Sequence, residues 1–121
     1  MKKILFIEDE FGLQKSVSEF LNKKGYKVIH ALDGELGLNL AITESPDLIL
    51  LDLILPKMDG FEVLKHLKEN KKTKDIPVIV LTNLESPEHV EKSLSLGATT
   101  YLVKSDYQLE DIYQKIKQQI G

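Results

Sequence analysis

Six side chains in this sequence could do chemistry together if the fold brings them to one place: Glu8, Asp9, Glu10, Asp52, Thr82 and Lys104. The acidic run Glu8-Asp9-Glu10 directly follows the apolar segment Ile4-Leu5-Phe6-Ile7. Asp52 follows Leu48 to Leu51, Thr82 follows Val78 to Leu81, and Lys104 follows Thr99 to Val103. A carboxylate placed straight after apolar residues demands a partner, because burying an unpaired charge is costly. Two carboxylates about 5 Å apart repel by roughly 3 kcal/mol at an effective dielectric of about 20. A cluster of Glu8, Asp9 and Asp52 therefore asks for a cation. Hard oxygen donors favour Mg²⁺, with Mn²⁺ a second candidate, and Mg²⁺ keeps several waters beside one or two carboxylates. With the cation and Lys104 present, the pocket gains the positive charge to accept a phosphoryl oxygen, and Thr82 offers a hydroxyl donor. Asp52 is then the expected nucleophile, forming an aspartyl phosphate.

The elements that must position these residues alternate between two kinds. Short apolar runs read as strands: Ile4 to Ile7, Lys27 to Ala31, Leu48 to Leu51, Val78 to Leu81 and Thr99 to Val103. Their near-continuous Ile, Leu and Val content suits strands covered on both faces. Helical periods lie between them. Leu13, Val17, Phe20 and Leu21 share a face before Gly25, a stop. Asp33 caps a second helix that ends before Pro46. Phe61, Leu64 and Leu67 mark a third, and Ser86-Pro87 opens a fourth with proline in its first turn. Leu109, Ile112, Tyr113, Ile116 and Ile120 stripe a fifth, expected from Gln108 to Gln119. The fourth has only Val90, Leu94 and Leu96 on its apolar face, so shallow packing is expected there. Alternating strands and helices predict an α/β fold with a parallel sheet and right-handed crossovers. Such sheets bind ligands outside the carboxyl ends of their strands, which is where the six residues fall.

Bulk properties narrow the classes further. A chain of 121 residues fits one domain, residues 1–121. Its 42% hydrophobic and 29% charged content is ordinary for a globular protein. The net charge of −3 gives no global field that would attract nucleic acid. Cysteine is absent, which excludes disulfides and thiolate metal sites and suits a reducing cytoplasm. Asp52 interrupts the longest apolar run, so no bilayer span is expected. The start Met1-Lys2-Lys3-Ile4 runs straight into strand-like sequence, unlike a signal peptide. A nucleotide-binding turn would need glycines after the first strand, and acids stand there instead. His30, His66 and His89 share no spacing and lie off the rim, so surface or packing roles are expected and no nucleophile dyad.

Four stretches together carry a resemblance: Ile4 to Glu10, Asp52 to Gly60, Val80-Leu81-Thr82, and Gly97 to Lys104. In their order and spacing the chain resembles, over its whole length, the receiver domain of two-component response regulators, and among these the single-domain, chemotaxis-response-regulator-like kind. The resemblance implies a flavodoxin-like, doubly wound, five-stranded parallel sheet in the order 2-1-3-4-5 with five helices. It implies that Asp52 accepts phosphate from a histidine kinase, a phosphotransfer protein or a small phosphodonor. Asp9 would bind the metal directly, Glu8 through water, and the carbonyl of Ile54 would complete the protein ligands beside Asp52. Thr82 and Lys104 would bind phosphoryl oxygens. Thr82 and Tyr101 would couple phosphorylation to a surface built from helix four, strand five and helix five. Two departures touch the phosphate side. Ser105 stands where the family has a proline in a cis bond, so the bond is either trans or cis at a cost of about 2.5–4 kcal/mol. Asn83 stands where a smaller residue is usual, able either to crowd or to hydrogen-bond the phosphoryl group.

Three functions of different class follow. The first is a phosphorelay switch, a binding module with no more than weak self-phosphorylation and autodephosphorylation, signalling through an effector protein. The second is a degenerate receiver that interacts without phosphorylation, for which Ser105 and Asn83 speak. The third is an aspartyl-phosphate phosphatase, which would need an acid where Ile54 stands. Only one helix follows the fifth strand, so direct DNA binding by this chain is not expected; signalling passes through a partner, or the chain is one domain of a longer protein.

Overall fold

The computed structural model describes all residues from Met1 to Gly121. Five strands form one parallel sheet: β1 (Lys3–Ile7), β2 (Lys27–Ala31), β3 (Leu48–Leu51), β4 (Val78–Thr82) and β5 (Thr100–Val103), in the order β2-β1-β3-β4-β5. Helices α1 (Phe11–Lys23), α2 (Gly34–Glu44), α3 (Gly60–Glu69), α4 (Pro87–Ser95) and α5 (Leu109–Ile120) connect them. The parallel sheet is the one the alternation of periods predicts, and its doubly wound order is the one the resemblance implies.

Side-chain alternation along the strands divides the core into two layers. Ile4 and Phe6 of β1, Leu48 and Leu50 of β3, and Ile79 and Leu81 of β4 pack with Val17 and Leu21 of α1 and Ile112 and Ile116 of α5. The residues between them, Leu5, Ile7, Ile49, Leu51, Val78 and Val80, pack with Ala41 of α2 and Val63, Leu64 and Leu67 of α3. Strands β1, β3 and β4 are buried on both faces, which is why they read as unbroken apolar runs. Helix ends follow their caps. The Asp33 carboxylate accepts from the Leu36 N–H at 2.8 Å, Asp59 from Glu62 at 3.0 Å, and Ser86 from Glu88 at 3.2 Å.

Small differences from the expected boundaries have local causes. β4 runs one residue further, because Thr82 still pairs with Val103. Thr99 lies just before β5, where its N–H donates to the Val78 carbonyl at 2.8 Å and its hydroxyl accepts from the Val78 N–H at 3.1 Å. Gln108 caps α5 rather than joining it, and its N–H donates to Asp111 at 2.9 Å. Residues Lys104–Asp106 form a short 3₁₀ turn that no apolar periodicity announced. α4 packs shallowly, as its thin stripe implied: Ser93 is its one buried residue and Leu94 is 46% exposed.

Candidate functional site

Register brings the acids together. Ile7 pairs with Leu51 across β1 and β3, so Glu8 and Asp52 emerge side by side at the carboxyl edge. Asp52 is tied there by its N–H, which donates to the Ile7 carbonyl at 3.1 Å. Glu8 shares the alternation of Ile4 and Phe6, Asp52 that of Leu48 and Leu50, and Lys104 that of Leu102, all on the α1/α5 side. Parity therefore points two carboxylates and one ammonium at the same space. The Lys104 Nζ lies 2.6 Å from Glu8 Oε1 and 3.0 Å from Asp52 Oδ2. Thr82 has the opposite alternation, that of Val78 and Val80, and stands outside this trio.

Glu8 is fully buried, Asp52 is 4% exposed, and Asp9 is open to solvent. One carboxylate oxygen from each of Glu8, Asp9 and Asp52 falls within 4.8 Å of the others. Backbone donors complete the frame: the Glu10 N–H donates to Glu8 Oε2 at 3.1 Å, and the Ile54 N–H to Asp52 Oδ1 at 3.3 Å. The Lys104 ammonium is the partner of Glu8 Oε1. Thr82 Oγ1 is buried without a hydrogen bond, as are Ser18 Oγ and His89 Nδ1 elsewhere in the fold.

The charges are unbalanced in the same direction. Burial pushes the Glu8 carboxyl up to about 7; Lys104 and the Glu10 N–H oppose this, and the Asp52 charge adds to it. Burial works against the Lys104 ammonium too, yet Glu8 and Asp52 more than offset it and hold Lys104 above its usual range. Burial, then the nearby Asp52 charge, raises the Tyr101 hydroxyl. Three carboxylates face one ammonium. An oxygen-only set with surplus negative charge suits a hard divalent cation such as Mg²⁺.

The other expected residues fall around this centre. Ile54 sits at the mouth, 57% exposed. The Tyr101 hydroxyl donates to the Leu84 carbonyl at 2.7 Å, tying β5 to the β4–α4 loop. No peptide bond is cis, so the Lys104–Ser105 bond is trans, and Lys104 nonetheless reaches both carboxylates. Ser105 Oγ lies 3.5 Å from Glu85 Oε1 across the two loops, and Asn83 is exposed. The histidines stay off the rim: His30 is exposed, His66 lies 3.9 Å from Glu69, and His89 packs against the Phe61 ring at 6.0 Å. Sequence reading missed Gln14, a buried amide that donates to the Glu8 carbonyl at 3.3 Å. The signal was there: Gln14 occupies the inward stripe of α1 with Val17 and Leu21, where an apolar residue is expected.

Comparison with known proteins agrees with this geometry. The family model described as response regulator receiver domain matches residues 4–117. Sporulation initiation phosphotransferase F of Bacillus subtilis is 34% identical over 116 residues, covering 96% of this chain and 91% of that protein. The DNA-binding dual master transcriptional regulator RpaA of Synechocystis is 39% identical over 97% of this chain but only 48% of its own length. The chain thus spans about half of that relative, as it does of the Streptococcus pneumoniae transcriptional regulatory protein CiaR, at 50%. Among solved structures, chemotaxis protein CheY4 of Vibrio cholerae superposes with a TM-score of 0.91 at 32% identity, covering 98% of both chains. A CheY-like receiver domain protein of Methanospirillum hungatei gives 0.93 at 30% identity, covering 99% of this chain and 94% of that one. With the sheet order, the acidic cluster and this match along nearly its whole length, the chain belongs to the receiver domains of two-component response regulators.

Proposed function

We propose that residues 1–121 act as one phosphorelay switch, in which Asp52 accepts a phosphoryl group from the phosphohistidine of a kinase or phosphotransfer protein. One observation supports this above the others: the Lys104 ammonium closes on the buried carboxylates of Asp52 and Glu8 at the carboxyl edge of the sheet. An Asp52 oxygen attacks phosphorus; the O–P bond forms as the N–P bond of the phosphohistidine breaks, and that electron pair returns to the imidazole. A Mg²⁺ ion bound by Glu8, Asp9, Asp52 and the Ile54 carbonyl would neutralise charge on the phosphoryl oxygens. Lys104, already charged and in place, turns from carboxylate to phosphoryl oxygen, and Thr82 donates its hydroxyl to another.

The output follows from where those two donors sit. Thr82 ends β4, and its movement toward phosphate would pull the loop whose Leu84 carbonyl Tyr101 holds. The surface of α4, β5 and α5 would then change shape for an effector protein. The near full-length likeness to a sporulation phosphotransferase favours a relay role without a DNA-binding step in these residues. A degenerate receiver is less favoured, since Ser105 leaves Lys104 on its carboxylates. A phosphatase lacks an acid at Ile54. No helix is long and apolar enough to cross a membrane, and a cytoplasmic setting fits the absence of cysteine.

Incubation with acetyl phosphate and Mg²⁺, followed by intact mass measurement, tests this. A single added phosphate is expected for the wild type and none for Asp52→Ala. A wild type that stays unmodified with several phosphodonors would sink the proposal.

A further inference from the structure

Of the three clustered carboxylates, Asp9 has no holder of its own. Glu8 is gripped by the Glu10 N–H and Lys104, and Asp52 by the Ile54 N–H and Lys104. The Asp9 carboxylate is exposed, so its aim depends on the backbone that carries it. That backbone is the peptide plane joining Glu8 to Asp9. One end is the Glu8 carbonyl, which has left the sheet: the Glu8 N–H still donates to Ala31 on β2 at 3.0 Å, but no backbone donor reaches its carbonyl. The donor it does have is the Gln14 side-chain amide, at 3.3 Å.

Gln14 is a poor choice for stability alone. It is 3% exposed on the α1 face that otherwise buries Val17 and Leu21. Methionine would fill the same space without the amide's desolvation. What the amide adds is direction. Its bond fixes the Glu8 carbonyl, and with it the two torsions that aim the Asp9 side chain. Binding groups must be held to within about 0.5 Å to act together.

Building on the proposed metal-assisted phosphorylation, we infer that Gln14 is a positioning residue for the cation: by holding the Glu8 carbonyl, it keeps the Asp9 carboxylate within the cluster. It touches neither cation nor phosphate and acts through Asp9. Outer partners of metal ligands typically influence affinity by 10–100-fold; Gln14 holds backbone rather than a ligand, so about tenfold is expected.

Calorimetric titration with Mg²⁺ reads this without reference to phosphorylation. Gln14→Met keeps length and helix preference but has no donor. It should bind Mg²⁺ about tenfold more weakly, with a nearly unchanged thermal midpoint in metal-free buffer. Val17→Ala, one turn along the same face, should lower that midpoint and leave the Mg²⁺ affinity alone. Gln14→Leu serves the same purpose if the methionine variant does not fold. Wild-type affinity in the Gln14 variants overturns the inference, as does an equal loss in Val17→Ala, which would point to a loosened helix instead. A wild type that binds no Mg²⁺ overturns the metal site itself, a separate and recognisable failure.

Discussion

The two sides of the rim are built to different standards. On one side Glu8 and Asp52 leave β1 and β3, the strands at the centre of the sheet, every residue of which from Ile4 to Ile7 and from Leu48 to Leu51 is fully buried. Their carboxylates are held by backbone N–H groups and by Lys104. On the other side Thr82 leads into a loop that continues as α4, whose one buried residue is Ser93, and β5 is a half-exposed edge strand. There the Thr82 hydroxyl has no partner, and the loop is tied by the Tyr101–Leu84 bond and a 3.5 Å contact between Ser105 and Glu85. A switch needs both properties. The chemistry requires carboxylates that do not move, and the signal requires a segment that shifts for little energy. Elements that move are drawn from the weakly packed end of a structure.

Truncations on the two sides should differ most. Phe6 is fully buried on β1, and Phe6→Ala should cost about 3–5 kcal/mol in urea unfolding. Leu94 is 46% exposed on α4, and Leu94→Ala should cost no more than about 0.5 kcal/mol. Similar costs at the two positions would abolish the distinction.

Protons and Mg²⁺ give a second, intermediate test, confined to the acidic side. The Glu8 carboxyl lies near 7 in the folded metal-free protein against 4.5 as a free group. Because its folded value is raised, Glu8 contributes stability that is fully present below 4.5 and is lost as pH rises toward and through 7. The cation would replace that lost stability, since it favours the ionised carboxylate. Mg²⁺ affinity should therefore fall by up to roughly tenfold per pH unit below 7 and level off above it. Added Mg²⁺ should raise the thermal midpoint at pH 8 and hardly at pH 5.5. A Mg²⁺ effect independent of pH would remove Glu8 from the site.

What the sequence made legible also divides along this line. Strands β1, β3 and β4 were readable because burial on both faces leaves no polar alternation, and a charged residue ending such a run stands out. The order of residues along the chain cannot show pairing between strands. Lys104 was expected at a phosphoryl oxygen, yet without one it sits on Glu8 and Asp52, a consequence of shared side-chain parity that only the register reveals. Backbone partners were hidden for the same reason: nothing in the residue types shows that Leu84 offers the carbonyl for Tyr101 or Ile54 the N–H for Asp52. The Ser105 substitution raised a question about the lysine that the trans bond answers. The shallow seat of α4 was legible, because too few apolar side chains were present to bury.

Tyr101 gives the most local measure of the looser side. Its hydroxyl bond to the Leu84 carbonyl is the shortest hydrogen bond on that loop, at 2.7 Å, and Tyr101→Phe removes it while keeping the ring. A net loss of about 1 kcal/mol is expected for one neutral bond. Because the β4–α4 loop has few other ties, the loss should appear there as faster amide exchange from Asn83 to Ser86. The amides of Glu10 and Ile54, which hold the carboxylates, should exchange as in the wild type. Exchange that quickens equally at Glu10 would mean the two sides open as one unit, and that Tyr101 braces the whole rim.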